Sequence, residues 1–440
     1  MRSFISPCRV RAVLTSLFPL SMASRSRDVT FIVQTERLEM STALMKTAPV
    51  RSEIFDLIFI RSEYSRSAEG YSRFMSAMLP AYFDPIRTRI SSALRRFLDE
   101  KKGELARVNP MGRDAAERLV DFSLRGKMIR GCLVHLGWSI SAKMPPPPRN
   151  TVAAVAAVTT VGAAMELFHS GLLVHDDIMD RDLVRRGQPS IFQQYARIAA
   201  RERHADPEHV GQALGICAGD VACFMAFELL ARTRAPAPVV CSVLELCARE
   251  LSAVGIAQMQ DVSWGASRSG VDVEDILRMY THKTGRYSFS LPLLAGAMIA
   301  DAPEDLRGKL GTFGESIGLL FQIRDDELGL YGDEKELGKP VGSDVREGKK
   351  TIIFSSLMAA AGAEERRRLD GIFGNLRASP ADIDYVRGLA SSAGVRKRIE
   401  AITTGLIEKA RTAIGEIGSG TDEDRAALRS LLDFTTSRRQ

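Results

Sequence analysis

The sequence His175-Asp176-Asp177-Ile178-Met179-Asp180 ends a long apolar segment, Thr151–Asp182, whose composition predicts a helix. Asp176 and Asp180 are four positions apart, so both side chains lie on one face of that helix, with Asp177 beside them. The carboxylates repel one another there, and a helix C-terminus already carries partial negative charge. Divalent cations such as Mg²⁺ remove this penalty, because oxygen ligands at i and i+4 chelate or bridge them. A solvated acidic helix end is the alternative interpretation when the motif stands alone.

A second acidic cluster favours the metal interpretation. The segment Gly311–Leu330 is another apolar helix by composition, and it ends in Phe321-Gln322-Ile323-Arg324-Asp325-Asp326-Glu327-Leu328-Gly329. Two such helices facing each other in a bundle are predicted to hold metal ions between their aspartates. Carboxylates, metal ions and basic side chains together can hold a diphosphate and stabilise it as a leaving group. The basic residues that follow the two clusters are Arg185, Arg186, Lys339, Lys349 and Lys350.

The chain as a whole is predicted to be all-α. Helical periodicity dominates from about Tyr71 onward, and no Asn-Gly or Asp-Gly turn joins two strand-like runs. Glycine and proline separate segments of roughly 15 to 30 residues, and no internal repeat suggests a solenoid. We expect a single large helical bundle. Apart from the leader described below, no segment reaches the ~18 to 20 apolar residues of a membrane span, so no transmembrane segment is predicted.

Composition argues against a nucleic-acid-binding protein. The net charge of the 440 residues is +6, but the first 27 residues contain five Arg and no acid, which leaves +1 for the rest. Two Trp and 7% aromatics also disfavour a base-stacking surface. The six cysteines match no zinc pattern and are too few for a disulfide scaffold, so we expect reduced thiols.

The basic N-terminus is predicted to be separate from the enzyme body. An apolar stretch, Ala12–Leu20, follows two arginines, a pattern shared by secretory signals, organelle transit segments and sequence upstream of a later start at Met40 or Met45. We predict an N-terminal extension over residues 1–67 and a catalytic domain over residues 68–440. The expected location is the cytoplasm, with organelle import left open by the leader.

The ordered motifs resemble those of the trans-isoprenyl diphosphate synthases, the polyprenyl synthetase family that includes farnesyl and geranylgeranyl diphosphate synthases. The resemblance runs from about Phe74 to the C-terminus, and the motifs occur in family order. The matching residues are Gly126-Lys127-x-x-Arg130, His169, Asp176-Asp177-x-x-Asp180, Arg185-Arg186-Gly187, Gln258-x-x-Asp261, Lys283-Thr284 and Phe321-Gln322-x-x-Asp325-Asp326.

This resemblance implies the isoprenoid synthase fold with a central cavity, and a homodimer. It implies a Mg²⁺-dependent head-to-tail condensation of isopentenyl diphosphate with an allylic diphosphate (dimethylallyl, geranyl or farnesyl), using about three metal ions. The implied metal-binding residues are Asp176, Asp177, Asp180, Asp325 and Asp326. The implied substrate-binding residues are Lys127, Arg130, His169, Arg185, Arg186, Gln258, Asp261, Lys339 and Lys349. Lys283, Thr284 and Gln322 are the implied catalytic residues, and released diphosphate takes the final proton.

This chain departs from the family pattern at the end of its second acidic motif. The motif normally ends in a third aspartate, where this chain has Gly329.

The residues before the first motif predict the length of the product. By resemblance, the product grows along the helix before this motif. The nearer turn of that helix carries Gly171 and Leu172, and the next turn, about 5 Å deeper, carries Phe168. A floor one turn deeper than the aromatic floor of farnesyl synthases favours a C20 geranylgeranyl product. Alternatively, Phe168 faces another helix and the floor lies elsewhere.

Three other functions remain as alternatives to a C20 synthase. A synthase with a C15 or C25 product keeps every motif and differs only in cavity depth. A class I terpene cyclase shares the first acidic motif, but it usually pairs that motif with an Asn/Ser/Glu triad and lacks the Lys127 and Arg130 site. A non-catalytic subunit of a heteromeric synthase tends to lose an aspartate motif, and here only the second motif is incomplete.

Overall fold

The computed structural model describes residues 68–142, 148–267, 270–332 and 341–437. From Ala68 onward the chain forms one compact unit. Its first half contains α1 (Ala68–Leu105), α2 (Pro110–Leu124), α3 (Ile129–Ser141), α4 (Pro148–Met179), β1 (Val184–Arg185), β2 (Gln188–Pro189), α5 (Ile191–Arg201), α6 (Pro207–Ala231) and α7 (Ala237–Ala266).

The second half begins with α8 (Val273–Tyr280), which continues directly into a π-helix (Thr281–Ser290). The helices that follow are α9 (Leu291–Ile299), α10 (Glu304–Tyr331), α11 (Ser343–Glu347), α12 (Ile352–Ala360), α13 (Ala363–Ile372), α14 (Pro380–Ser392), α15 (Val395–Glu416) and α16 (Asp422–Ser437). The prediction of an all-α bundle is confirmed. The predicted extension, residues 1–67, lies outside the described residues, so the domain division stays a prediction.

Local sequence explains where several helices begin. The Asn109 side chain accepts a hydrogen bond from the backbone N–H of Gly112, and Pro110 follows as the first residue of α2. Asp206 caps α6 in the same way, accepting from the N–H of His209 before Pro207. A short polar cap followed by proline satisfies an orphan N–H and fixes the first helical φ angle. These signals set the helix starts independently of tertiary packing.

Helix α4 lies in the core and positions the first acidic motif. Its side chains at Met165, Leu167 and Phe168 are at most 1% exposed, and the helix packs against α3 and α6. Helix α10 has the same role for the second motif, packing against the π-helix and α15. The π-helix can approach α10 because Gly285 and Gly318 meet there: a Cβ on Gly318 would lie 2.3 Å from the Gly285 Cα. Both acidic motifs are thereby fixed to rigid helices around one cavity.

A two-residue β-hairpin follows the first acidic motif and was not predicted. Val184–Arg185 pairs antiparallel with Gln188–Pro189, and the turn residues Arg186 and Gly187 both have positive φ angles, 54° and 73°. Two successive positive φ angles are the requirement of a type I′ turn, which favours Asn-Gly or Gly-Gly over Arg-Gly. The arginine therefore adopts a disfavoured conformation in the turn. The hairpin therefore lacks the Asn-Gly or Asp-Gly signal by which such turns are predicted from sequence.

Two described helices, Val152–Met179 and Pro207–Ala231, are long and apolar enough to cross a membrane by length and composition alone. The apolar windows of these helices are 61% and 44% buried inside the protein. A helix that is apolar on all sides is also what a bundle core requires. The prediction that no segment spans a membrane stays a prediction.

Lowering the pH from 6.5 to 4 is expected to destabilise the bundle through His135. This side chain is 4% exposed and lies 3.1 Å from the Thr159 hydroxyl; burial lowers its pKa to about 4. Between pH 6.5 and 4 the unfolded chain, in which the His pKa is near 6.5, binds more protons than the folded chain. The contribution of neutral His135 to the free energy of unfolding is therefore fully present above pH 6.5 and is lost as the pH falls towards 4. The loss is about 3 kcal/mol at full protonation. Comparing the pH dependence of Tm in His135→Gln with that of the exposed control His204→Gln measures it; equal slopes would contradict the assignment.

Candidate active site

Both acidic motifs open into one cavity of about 800 Å³. Its wall is formed by side chains from α3, α4, α7, α8, the π-helix, α10 and the segment around α11. Carboxylates and bases form one part of the lining, and these are Asp176, Asp180, Asp182, Asp261, Asp325, Asp326, Asp344, Glu347, Arg130, Arg185, Lys283, Lys349 and Lys350. Apolar side chains form another part, including Leu172, Leu173, Val254, Met259, Phe289 and Phe321. The cavity thus combines a charged region with an apolar one.

Asp176 and Asp180 lie on the cavity wall, as their i, i+4 spacing predicts. The Gln258 side-chain amide donates to Asp176 Oδ1 at 2.9 Å, and Lys349 Nζ donates to Asp180 Oδ2 at 2.7 Å. Burial raises the pKa of Asp176; the neighbouring Asp180 raises it further, and Lys283 opposes both. The ionised pair is therefore under electrostatic strain, which a bound cation would relieve.

Asp177 points away from the cavity. It is fully buried; its Oδ1 accepts a hydrogen bond from Arg185 Nε at 2.5 Å, while Oδ2 has no hydrogen-bond partner among the described residues. Burial raises the pKa of Asp177 to about 7, and Arg185 opposes this rise. Arg185 also donates to Asp182 at 2.7 Å. Asp177, expected to bind metal, instead holds the hairpin arginine against the end of α4.

The second motif differs from the first, because both of its aspartates line the cavity. Asp326 is nevertheless only 5% exposed. Asp326 accepts hydrogen bonds from the Tyr280 hydroxyl and, at 3.1 Å, from the Gln322 amide. Burial raises its pKa well above the usual range, and Asp344 adds to that rise. Tyr280 was not predicted, because a single tyrosine gives no sequence signal of such a contact.

The π-helix places Lys283, Thr284 and Ser288 on the cavity wall. Lys283 Nζ donates to Asp261 Oδ2 at 2.5 Å, and the Thr284 hydroxyl donates to Gln322 Oε1 at 2.8 Å. The predicted catalytic residues Lys283, Thr284 and Gln322 therefore share one cavity, although Thr284 and Gln322 are 38 residues apart in the chain. π-Helical turns are rare and occur frequently at functional sites.

A second group of basic residues surrounds His169, which also lines the cavity. Arg130 donates to the Ser288 hydroxyl at 2.6 Å, and its guanidinium lies 4.9 Å from the centre of the Tyr287 ring. Arg186 donates to the Phe122 carbonyl at 2.6 Å. Burial lowers the pKa of His169 well below its usual value, and the nearby arginines lower it further, so the imidazole is neutral.

Two described basic residues that were predicted to bind substrate, Lys127 and Arg186, do not line the cavity. Lys127 is exposed and does not line the cavity, although it lies three positions before Arg130 on the chain. Lys339 lies outside the described residues. Lys349, in contrast, contacts Asp180 and also Glu347 at 3.1 Å, and Lys350 lies 4.1 Å from the Phe354 ring centre. Glu347 was not predicted, because only tertiary contacts distinguish it from a surface residue.

The predicted chain-length residues have different surroundings on α4. Leu172 lines the cavity, whereas Phe168 is 1% exposed and packs edge-on against the Phe227 ring at 4.7 Å. Gly171 faces α6: a Cβ there would lie 2.7 Å from Cys223 Sγ. Gly171 is therefore a helix-packing position. Phe168 lies one helical turn before Leu172 on α4 and does not itself line the described cavity.

The residues present fit Mg²⁺. The donor set is entirely oxygen, carboxylates from α4 and α10 that share one cavity, and hard divalent cations prefer such ligands. Within the described part of the chain, no group of three or more His, Cys, Asp or Glu already has metal-binding geometry. Lysines contact the carboxylates instead, as in the Lys349–Asp180 pair. Substrate oxygens would have to complete the coordination of any ion bound there.

The polyprenyl synthetase family model matches residues 113–389, which include both acidic motifs and every predicted site residue. The chain belongs to the polyprenyl synthetase family. It is therefore a prenyltransferase that elongates prenyl chains, acting on isoprenoid diphosphates. The resemblance drawn from the motifs is confirmed.

Similar proteins within the family differ in product. The geranylgeranyl diphosphate synthase of Sulfolobus acidocaldarius is 34% identical, over 63% of this chain and 80% of that protein. The geranylfarnesyl diphosphate synthase of Aeropyrum pernix is 32% identical, over 65% and 84%. The crystal structure of the Corynebacterium glutamicum geranylgeranyl pyrophosphate synthase, complexed with isoprenyl diphosphate and magnesium, superposes with a TM-score of 0.73. It is 28% identical and covers 81% of this chain and 99% of that one.

Proposed function

We propose that this prenyltransferase catalyses the Mg²⁺-dependent condensation of isopentenyl diphosphate with an allylic diphosphate, giving all-trans geranylgeranyl diphosphate. The observation that carries the proposal is the single cavity in which two acidic motifs and two separate basic groups adjoin an apolar wall. One diphosphate needs one basic group with metal ions, and a second diphosphate needs another basic group. A class I cyclase has no use for the Arg130 group.

The allylic diphosphate is proposed to bind at the acidic motifs. Asp176, Asp180 and Asp325 would hold about three Mg²⁺ ions, which supply positive charge that stabilises the departing diphosphate. Lys283 and Lys349 lie beside these carboxylates and would bind the same diphosphate through its oxygens. Arg185 would add a further contact, and Lys339 is proposed from its motif alone. The Thr284 hydroxyl and the Gln322 amide would present their dipoles to the developing allylic cation.

The homoallylic diphosphate is proposed to bind at Arg130, His169 and Arg186, with Lys127 contributing once substrate is bound. The Ser288 contact holds the Arg130 fork in place, which favours bidentate binding of phosphate oxygens. A neutral His169 can donate one hydrogen bond without adding charge. Released diphosphate takes the final proton, so no protein base is required.

We propose a C20 product from the depth of the apolar wall. Leu172 lines the cavity, and Phe168, one helical turn further back on α4 and packed against Phe227, would form the floor. One turn of about 5 Å corresponds to roughly one isoprene unit. The absence of an aromatic side chain at Leu172 would leave this extra turn available.

A homodimer is proposed on the exposed apolar face of α6 and α7. Phe224 on α6 is 71% exposed and Ile256 on α7 is 67% exposed. Large apolar side chains exposed to this degree favour coverage by a partner surface. A second copy presenting the same face would cover them. We further propose a cytoplasmic location, with residues 1–67 as an extension outside the catalytic domain.

Incubating the purified full chain with Mg²⁺, isopentenyl diphosphate and allylic primers of C5, C10 or C15, then sizing the products, tests this function. We expect elongation of all three primers to C20 and no reaction in excess EDTA. Cyclised hydrocarbon formed from the primer alone would support the cyclase alternative. Failure to elongate any primer, despite Mg²⁺-dependent pyrophosphate binding, would support a non-catalytic subunit.

A further inference from the structure

The π-helix that carries Lys283 and Thr284 is joined to α7 by an ion pair outside the cavity. Arg286 donates to both oxygens of the Glu250 carboxylate, from Nε at 2.8 Å and from Nη2 at 2.6 Å. Glu250 is only 3% exposed, whereas the Arg286 side chain is 34% exposed. Neither side chain lines the described cavity, so neither is placed to touch a substrate bound in it.

A second ion pair joins the same two elements at the cavity wall. Lys283 donates to Asp261 at 2.5 Å, and Asp261 follows Glu250 by eleven residues on α7. Eleven residues are close to three full turns of an α-helix, so the two carboxylates lie on one face of α7. That face therefore binds the π-helix at two points, through Lys283 at the cavity and through Arg286 outside it.

Helix α10 contacts the π-helix through two further side chains. The Thr284 hydroxyl donates to Gln322 Oε1 at 2.8 Å. Arg286 Nη1 also lies 3.9 Å from Glu315 Oε1. Gln322 and Glu315 are seven residues apart, about two turns, so they share a face of α10. Arg286 thus contacts both helices that hold the π-helix, and it follows Lys283 and Thr284 by only three and two residues.

An ion pair of this kind is better suited to fixing a geometry than to stabilising the fold. Taking the Glu250 carboxylate out of water costs free energy that its partner offsets, and apolar side chains in such places are often equally stabilising. The two-point contact between a planar guanidinium and a carboxylate nevertheless fixes their relative orientation. Orientation matters at this place, because the rare π-helical geometry sets where Lys283 and Thr284 point.

We propose that the pair formed by Glu250 and Arg286 is a positioning device for the reaction. It holds the π-helix in the register that directs Lys283 towards the allylic diphosphate and Thr284 towards the developing cation. This inference rests on the roles proposed above for Lys283 and Thr284, and it extends the site to two residues that act without contacting substrate. A catalytic group misplaced by about 1 Å costs on the order of 10²-fold in rate, so the pair should act mainly on kcat.

A double-mutant cycle in the full chain tests the proposal, with Glu250→Gln, Arg286→Met and the double variant Glu250→Gln/Arg286→Met. The readouts are kcat, the KM values of both diphosphate substrates, and Tm. We expect each single variant to lower kcat by about 10²-fold. Both KM values should stay within about tenfold of the parent, because the metal ions and the other bases still bind the diphosphates. Since the two residues act as one unit, the double variant should be no slower than the slower single variant.

Two further variants separate positioning from general stability. Arg286→Lys keeps the charge but loses the guanidinium fork, so we expect a kcat between those of the parent and Arg286→Met. Lys101 is 3% exposed and pairs with Glu228 at 2.5 Å, which joins α1 to α6, and neither residue lines the described cavity. Lys101→Met likewise removes one partner of an interhelical ion pair, so it should lower Tm and leave kcat unchanged.

Three results would overturn the inference: parental kcat in Glu250→Gln, a double variant whose loss is the product of the two single losses, or a loss of kcat in Lys101→Met equal to that in Arg286→Met. If Glu250→Gln does not fold, Arg286→Lys decides the question, and parental kcat there contradicts the proposal. A parent chain that elongates no primer would contradict the proposed function itself. A parent that elongates, with unaffected Glu250 and Arg286 variants, contradicts only the role of the pair.

Discussion

Replacing Asp176 with asparagine is expected to lower kcat by about 10³-fold, the loss typical of removing one electrostatic stabiliser of a transition state. Asp176 and Asp180 are the only cavity-facing carboxylates of the first motif, because Asp177 is turned towards Arg185. An amide retains one oxygen for Gln258 but loses the negative charge that attracts a cation. Activity within tenfold of the parent would contradict the assignment of Asp176 to the metal site.

The same substitution is expected to stabilise the metal-free protein. The pKa of Asp176 is raised by burial and by Asp180, so the folded state disfavours the ionised form. Folding is favoured while Asp176 is protonated, and this contribution to stability is lost as the pH rises through its raised pKa in the folded state. At neutral pH the ionised Asp176 side chain therefore destabilises the folded protein. Asp176→Asn removes that penalty, and Tm in EDTA should rise by a few degrees.

Addition of Mg²⁺ and pyrophosphate should reverse the order of the two Tm values, so that the parent has a higher Tm than Asp176→Asn. The parent gains stability by mass action, whereas the variant gains less because its site binds more weakly. Asp305→Asn is the matched control: this carboxylate lies in the first turn of α10, its side chain is 77% exposed, and it pairs with Lys309. A parallel shift in Tm for all three proteins would show that Asp176 acts on folding alone.

The sequence was sufficient for the fold class and for the residues that helical geometry places together. Asp176 and Asp180 share a face because they are four residues apart, and the apolar composition of α4 buried that helix in the bundle. The order of the motifs along the chain, which is that of the family, then indicated which distant residues meet. Thr284 and Gln322 do contact each other, although their spacing alone carries no such signal.

The remaining features depend on contacts between distant elements. Asp177 turns towards Arg185 only because an Arg-Gly hairpin brings the chain back, and that turn lacks the usual sequence signal. The sequence gives no sign that a Cβ at position 329 would meet the Asp344 side chain, 15 residues later in the chain. Gly171 similarly reads as an open floor position, whereas its Cα hydrogens face α6 in close packing. Each case requires knowledge of which elements pack together.

Product length offers the second large effect, and two substitutions on one face of α4 should change it in opposite directions. Leu172→Phe places an aromatic ring on the cavity wall, and we expect the main product to shorten from C20 to C15. Phe168→Ala removes the ring that packs against Phe227 beneath that wall, and we expect products longer than C20. Both expectations follow from the one-turn spacing of about 5 Å between the two positions.

Phe168→Ala also creates a cavity in the core, at a cost of about 3–5 kcal/mol, so product length must be separated from general loosening of the bundle. Phe313→Ala is the matched control, because Phe313 is fully buried in a different hydrophobic cluster and does not line the active-site cavity. It should lower Tm by a similar amount and leave the product at C20. Chromatographic sizing of dephosphorylated products distinguishes the cases. A C20 product from Phe168→Ala, with Leu172→Phe giving C15, would place the floor at the cavity wall itself and remove Phe168 from it.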